Sequence, residues 1–374
     1  MAEPAPNPWE QMDGKTLLEK LQQECVRQTV SDIHCSPEKK FVRFEIRLHG
    51  ILEQLASVSH ATYEDFIRYI KFASHLKMNV TNIPQDGQYT FAAGQGNEQR
   101  TVNVRVATIP SRFGETLTLR LLDPQHGIVP LAELGFPKEM EDQLATLMKM
   151  PNGLVLITGP TGSGKTTTLY ALLKTMIGTH RNIITLENPI EYEIAGIVQS
   201  QIDADHDYTF ASGLRSILRH DPNIILVGEI RDLETAQTAI DASLTGHLVL
   251  STIHTNSAIE AIPRLLSMGV SPYTFAPALR AIVAQRLVRT VKPELREAGK
   301  KIDPADSATY GGRCVIAEML LASTEIQNLI LTNESATTIE KQAREQGYRG
   351  MREMGEELVE KRVTTQSEVD RVTR

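Results

Sequence analysis

Gly159-Pro160-Thr161-Gly162-Ser163-Gly164-Lys165-Thr166 is the stretch that decides the fold. Two glycines bracket four residues and are followed by Lys and Thr, the spacing of a phosphate-binding loop. The glycines let the backbone turn tightly, so that several N–H groups converge on one phosphate cluster. The cradle is expected to run from Gly159 to Thr167. Lys165 is placed to reach the β- and γ-phosphates, and the Thr166 hydroxyl to ligate Mg²⁺. Gly153–Thr158 before the loop reads as a buried parallel strand, and Thr166–Ile177 after it as a helix whose N-terminus faces the anion.

Outward from the loop, short apolar runs alternate with helical segments: Leu154–Thr158, Asn182–Leu186, Ile224–Val227 and Leu248–Ile253. Such runs are strands buried on both faces, which predicts an α/β core with a parallel sheet over 138–290. Beyond Pro272 the chain is expected to be mostly helical. Lys292–Gly312 reads as a polar loop, and 291–374 as a mostly helical C-terminal part. Upstream, Lys15–Gln28 carries Leu17, Leu18 and Leu21 at helical spacing. Phe41–Leu55 reads as two strands broken at His49-Gly50, and Tyr63–Leu76 as a helix. In Thr101–Ala107 and Glu115–Leu122, Val102, Val104, Val106 and Leu117, Leu119, Leu121 alternate with polar residues, the mark of half-buried antiparallel sheet. Residues 15–122 are thus a smaller α+β domain, with 1–14 a flexible arm and 123–137 a linker.

The 374 residues accommodate two or three domains. Asp and Glu outnumber Lys and Arg, 46 to 39, for a net charge of −7. This argues against nucleic acid as a partner. Cys25, Cys35 and Cys314 form no paired-cysteine motif, so neither a zinc ribbon nor a disulfide framework is expected. No apolar stretch is long enough to span a membrane, and Met1–Pro8 lacks the apolar core of a signal peptide. A cytoplasmic chain is expected.

Ile224-Ile225-Leu226-Val227-Gly228-Glu229 is an apolar strand ending in a carboxylate, the form of a Walker B element with Glu in place of the usual Asp. Glu229 could orient a Mg²⁺-bound water or polarise the attacking one. Glu187 ends the preceding strand and is placed to act as general base, because ligands of open α/β sheets lie beyond the strands' carboxyl ends. Glu191 either supports it or is surface. His254 follows the strand Leu248–Ile253, where a γ-phosphate sensor belongs. His247 precedes that strand and suits a neighbour contact or a helix cap. Arg105, Arg112 and Arg120 lie in the first domain's strands and connecting loop. They are either an arginine-finger cluster or a solvated sheet face.

Taken together, Gly159–Tyr170, Thr185–Tyr192, Asp221–Asp232 and Thr245–Asn256 resemble the Walker A, acidic, Walker B and histidine boxes of the secretion-type ATPases of type IV pili and type II secretion. Ser31-Asp32-Ile33-His34 and Gln285-Arg286-Leu287-Val288-Arg289 also match. The resemblance implies a RecA-like P-loop ATPase domain preceded by a PAS-like domain, ATP and Mg²⁺ as ligands, and a homohexamer with nucleotide between the domains. It implies Glu187 and Glu229 as catalytic acids, His247 and His254 both lining the site, and Arg105, Arg112 and Arg120 reaching the phosphates. Domain motion on hydrolysis would drive an inner-membrane platform protein.

The chain also departs from the family pattern. Asn188 replaces the usual Asp of the acidic box, His49 replaces a common Asp, and the paired cysteines after Arg289 are missing. The long N-terminal domain that docks extension and secretion members to a membrane partner is not expected, although Gly347–Arg374 is similar to that branch. The leading expectation is a hexameric motor for pilus assembly or type II-like secretion. A retraction motor of the same fold and a nucleotide-binding scaffold with weak hydrolysis are the alternatives.

Overall fold

The computed structural model describes residues 8–94, 99–127, 129–297, 302–304 and 306–373. The chain divides into two compact units, Met1–Gly127 and Ile128–Arg374.

The first unit runs α1 (Gly14–Arg27), β1 (Asp32–Pro37), β2 (Val42–Leu48), β3 (Ile51–Val58), α2 (His60–Ala73), β4 (Gln85–Ala93), β5 (Arg100–Ser111) and β6 (Gly114–Leu122). The strands form one antiparallel sheet, ordered β3-β2-β1-β6-β5-β4. The alternation read in β5 and β6 is its cause. Val102, Val104, Val106, Leu117, Leu119 and Leu121 are buried in one cluster with Leu17, Leu21, Phe66 and Ile70 of the two helices. His49 and Gly50 both take positive φ, 49° and 86°, and close the two-residue turn between β2 and β3. The expected flexible arm is corrected over its described part, 8–14. Trp9 and Met12 pack against the core. The Glu10 carboxylate accepts from the Ser59 amide at 2.9 Å, and Asp13 caps α1. Residues 1–7 lie outside the described residues.

The second unit runs α3 (Lys138–Met148), β7 (Gly153–Thr158), α4 (Lys165–Lys174), β8 (Ile183–Glu187), β9 (Val198–Gln201), α5 (Phe210–Ile217), β10 (Ile224–Val227), α6 (Leu233–Leu244) and β11 (Leu248–Ile253). It continues with α7 (Ala261–Ser267), α8 (Pro272–Ala278), β12 (Leu279–Val291), α9 (Pro293–Glu297) and β13 (Tyr310–Leu321). Four helices close it: α10 (Thr324–Leu331), α11 (Ala336–Glu345), α12 (Met351–Glu360) and α13 (Gln366–Thr373). The sheet order is β13-β12-β7-β11-β10-β8-β9, parallel except for β13. β7, β8, β10 and β11 are buried along their whole length, as the continuous apolar runs require.

Two expectations fail here. The chain beyond Pro272 is not mostly helical, because β12 and β13 are 13- and 12-residue strands that extend the sheet past β7. Ala281–Gln285 is buried on both sides, so it lacks the alternation that marks a strand. The loop expected to reach Gly312 ends earlier, with β13 starting at Tyr310. The three cysteines are free and buried.

α13 is fastened to β12 by one carboxylate. Glu368 is 2% exposed. It accepts from the Arg289 guanidinium at 2.8 Å, the Arg289 amide at 3.0 Å and the Arg371 guanidinium at 2.7 Å. The Arg289 guanidinium also lies 3.9 Å above the Tyr310 ring. Burial alone raises the carboxyl, but the hydrogen bonds from Arg371 and Arg289 outweigh it and hold it down at about 2. A depressed carboxyl contributes stability above its unfolded value, about 4.3, that is lost as pH falls toward 2. Glu368→Gln is therefore expected to lower stability at pH 7 by about 3 kcal/mol. Thermal melts should show that gap closing between about pH 4.5 and pH 2. A gap that is constant with pH refutes the assignment.

Candidate functional site

The loop sits on the carboxyl edge of the sheet because β7 ends at Thr158 and α4 begins at Lys165. Gly159 takes a φ of 145°, and a Cβ there would stand 2.6 Å from both the Gln285 carbonyl and Ser163 Oγ. Gly164 caps α4 in the left-handed region with no side-chain cap, which leaves the first amides of the helix to whatever fills the loop. Thr158 Oγ1 donates to the Ile253 carbonyl at 2.8 Å and accepts from the Thr255 amide at 2.8 Å, tying the loop's start to the segment after β11.

Three of the candidate residues meet at this edge. Lys165 is half-buried, and its Nζ donates to the Gly159 and Pro160 carbonyls at 2.7 and 3.0 Å. Glu229, 14% exposed, pairs with Arg231 at 2.6 Å and faces His254 Nε2 at 3.6 Å. The strand tip that presents Glu229 is pinned on both sides. The Gly228 amide donates to the Leu186 carbonyl at 2.8 Å, and Thr252 Oγ1 donates to the Gly228 carbonyl at 2.7 Å. A Cβ at Gly228 would lie 3.1 Å from the Leu186 carbonyl, which explains glycine before the acid. Burial holds the Lys165 ammonium down at about 8; the Glu229 carboxylate opposes this and the Arg286 guanidinium adds to it. Burial also lowers His254, reinforced by the Lys165 charge, while Glu229 pulls it back up.

Glu187 is at the expected strand end, yet its carboxylate is already engaged. One oxygen accepts from Thr185 Oγ1 at 2.6 Å and Gln199 Nε2 at 3.1 Å, and the other accepts from the Tyr170 hydroxyl. The residue is 4% exposed. Three donors leave one lone pair, on the oxygen facing Tyr170, for an incoming proton. Tyr170 is fully buried on the loop's own helix. Its hydroxyl also accepts from the Glu191 amide at 3.4 Å, so Glu191 enters the network through its backbone.

His247 is not brought to the loop. Its Nδ1 lies 2.9 Å from the Ala242 carbonyl, where it caps the end of α6. Its own carbonyl accepts from the Gly153 amide at the opposite end of β7. A six-residue strand separates it from His254, about 20 Å by strand rise. The neighbour-or-cap expectation describes it, and the site-lining role implied by resemblance does not.

In the first unit Arg105 and Arg120 are direct cross-strand partners on the helix-free face. Arg120 Nε donates to Asp32 at 2.8 Å, and Arg47 lies 3.7 Å from the same carboxylate. Arg112 sits at the far end of the β5–β6 hairpin, its guanidinium 5.5 Å from the Phe113 ring centroid. The six residues between it and Arg105 put it about 20 Å along the ribbon. Tyr170 and Gln285 were given no role from sequence. The available signal was a polar group set in or ending an apolar run: Tyr170 within Leu169–Leu173, and Gln285 directly after Ala281–Ala284.

The sequence profile described as "Type II/IV secretion system protein" matches residues 11–371. The chain is 41% identical over 364 residues to the type II secretion system protein HxcR of Pseudomonas aeruginosa, covering 96% of this chain and 77% of that protein. It is 39% identical over 381 residues to the type II secretion system ATPase E of Vibrio cholerae, covering 96% and 75%. Among solved structures, the pilus retraction motor PilT with bound ADP superimposes with a TM-score of 0.67 at 27% identity, covering 94% of this chain and 96% of that one. The ATPase DotB of Legionella pneumophila gives 0.75 at 22% identity over 99% and 97%, a likeness of fold.

Proposed function

The chain belongs to the type II/IV secretion system protein family, and from that premise we propose that it is a homohexamer hydrolysing Mg-ATP to drive pilus assembly or type II-like secretion, docked at the cytoplasmic face of a membrane on an inner-membrane platform protein. It is a secretion-type ATPase with a RecA-like core behind an N-terminal domain. Among the described residues no helix is long and apolar enough to cross a membrane, so membrane attachment is assigned to partners.

The observation that carries the chemistry is the convergence of Lys165, Glu229 and His254 on one sheet edge beside the loop. In this reading the loop amides and Lys165 hold the β- and γ-phosphates. A water oxygen attacks the γ-phosphorus in line, and the β–γ bridging oxygen leaves on ADP. Glu229 orients that water and receives its proton, favoured over Glu187 because the Glu187 oxygens are held by Tyr170, Thr185 and Gln199. His254, uncharged near neutrality, reads the γ-phosphate. The exposed Thr166 hydroxyl at the helix start and the Glu229 carboxylate are hard oxygen donors that fit Mg²⁺. When bound, Mg²⁺ neutralises charge developing on the phosphate oxygens. Arg105, Arg112 and Arg120 are assigned to phosphate contacts in the closed hexamer; their 20 Å spread (roughly, by strand rise) implies that Arg112 serves a different contact from the other two.

Phosphate release by the purified chain with Mg-ATP, at an oligomeric state measured by light scattering, tests this. Binding without turnover would favour the scaffold reading that Asn188 motivates. Deletion strains separate extension from retraction, with filaments lost in the first case and in excess in the second.

A pH prediction follows from the depressed lysine. A phosphate ligand restores the proton that Lys165 sheds above about 8. Binding at pH 8.5 is thus expected to take up a proton, and affinity to fall up to about tenfold per pH unit beyond that. Calorimetry in buffers of different ionisation enthalpy reads the uptake; zero uptake would refute it.

A further inference from the structure

We infer that Gln285 is a positioning residue for the phosphate loop: its carboxamide fixes the direction in which the Ser163–Gly164 peptide presents its N–H to a bound phosphate. This rests on the nucleotide reading of the loop given above.

The register of β12 against β7 pairs Ala284 with Thr158, which places Gln285 beside the first loop residue, Gly159. The Gln285 side chain is fully buried. Its Nε2 donates to the Ser163 carbonyl at 2.8 Å, a contact spanning 122 residues of sequence. In a trans peptide the carbonyl and the following N–H point in opposite directions. Anchoring the Ser163 oxygen on β12 therefore turns the Gly164 N–H away from β12, toward the hollow of the loop. Gly164 holds the left-handed conformation this orientation needs, and a Cβ there would stand 3.2 Å from Gln285 Nε2. The backbone carbonyl of Gln285 packs against the other end of the loop, 2.6 Å from where a Gly159 Cβ would be. Both ends of the loop are thus seated on one residue of the neighbouring strand.

The amide is costly where it is. Gln285 Oε1 is buried without a hydrogen-bond partner, and so is Ser163 Oγ. An apolar side chain of the same length would avoid the unsatisfied acceptor, so packing alone does not account for glutamine at this position. What the amide uniquely supplies is the donor to Ser163.

The test uses the purified full-length chain and equilibrium binding of Mg-ATP and ADP. Gln285→Met keeps volume and length but has no donor. Gln285→Glu has a donor only when protonated, and burial raises a carboxyl into an accessible range. Gln285→Met is expected to bind both nucleotides about tenfold more weakly than wild type, by the loss of one buried hydrogen bond, with its ligand-free melting temperature close to wild type. The affinity of Gln285→Glu relative to wild type is expected to climb toward unity between pH 7.5 and about 5.5, while the Gln285→Met ratio stays flat over that range. Taking ratios at each pH removes the contribution of Lys165. Wild-type affinity in both variants overturns the inference and leaves the ATPase reading intact. If Gln285→Met does not fold, Gln285→Glu decides alone, and a ratio independent of pH overturns the inference. Failure of the wild-type chain to bind either nucleotide overturns both.

Discussion

Lys165→Ala is expected to reduce phosphate release by about a thousandfold and to weaken ATP binding with it. Among the described residues the side chain's hydrogen bonds are to the Gly159 and Pro160 carbonyls of its own loop. Removing it therefore deletes a cation from the phosphate cradle and little from the core. The lysine is held at about 8 by burial, so a triphosphate regains the full charge on binding, and that interaction grows as the γ-phosphate leaves. Thermal melting without ligand should stay close to wild type, while single-turnover and steady-state rates both collapse. A variant that melts normally and turns over at the wild-type rate would sink the phosphate-loop reading at its root.

Glu229→Gln is expected to behave differently. The side chain keeps its size and its place at the pinned tip of β10, but loses the charge that pairs with Arg231 and faces His254. If Glu229 orients and deprotonates water, turnover should drop by roughly a hundred- to ten-thousandfold. ATP binding should be kept, because removing one carboxylate also removes repulsion from the triphosphate. The expected signature is thus a kcat loss without a rise in Kd, against the joint loss in Lys165→Ala. Glu187→Gln serves as the comparison. Its effect should appear first in stability, since it disturbs the buried network with Tyr170, Thr185 and Gln199. Equal and large kcat losses with normal melting in Glu187→Gln would move the base back to Glu187.

Much of the site was legible because its parts are local. A loop of fixed spacing between an apolar strand and a helix needs no long-range contact to be recognised, and β8, β10 and β11 announced themselves by continuous burial. The strand-end rule then placed Glu187, Glu229 and His254 on one edge. Where the same rule was set aside for His247, it was the rule that described the residue's place at the other end of β11. The failures share a cause. β12 and β13 were read as helical territory because a strand buried on both faces has no period of its own, and nothing local distinguishes it from a short buried helix.

The sequence by itself determined the cradle, the parallel core and the acids at its edge, since each depends on residue type at short spacing. Only the tertiary structure decided what those residues face. Gln285 reaches Ser163 across 122 residues, and Glu368 reaches Arg289 across 79. Glu187 is held by a hydroxyl from α4, and Arg105 meets Arg120 by strand register. Side-chain partners set which carboxylate is the more heavily hydrogen-bonded and which loop carbonyl is anchored to the neighbouring strand. Those partners are chosen by sheet order and packing, which no local pattern encodes.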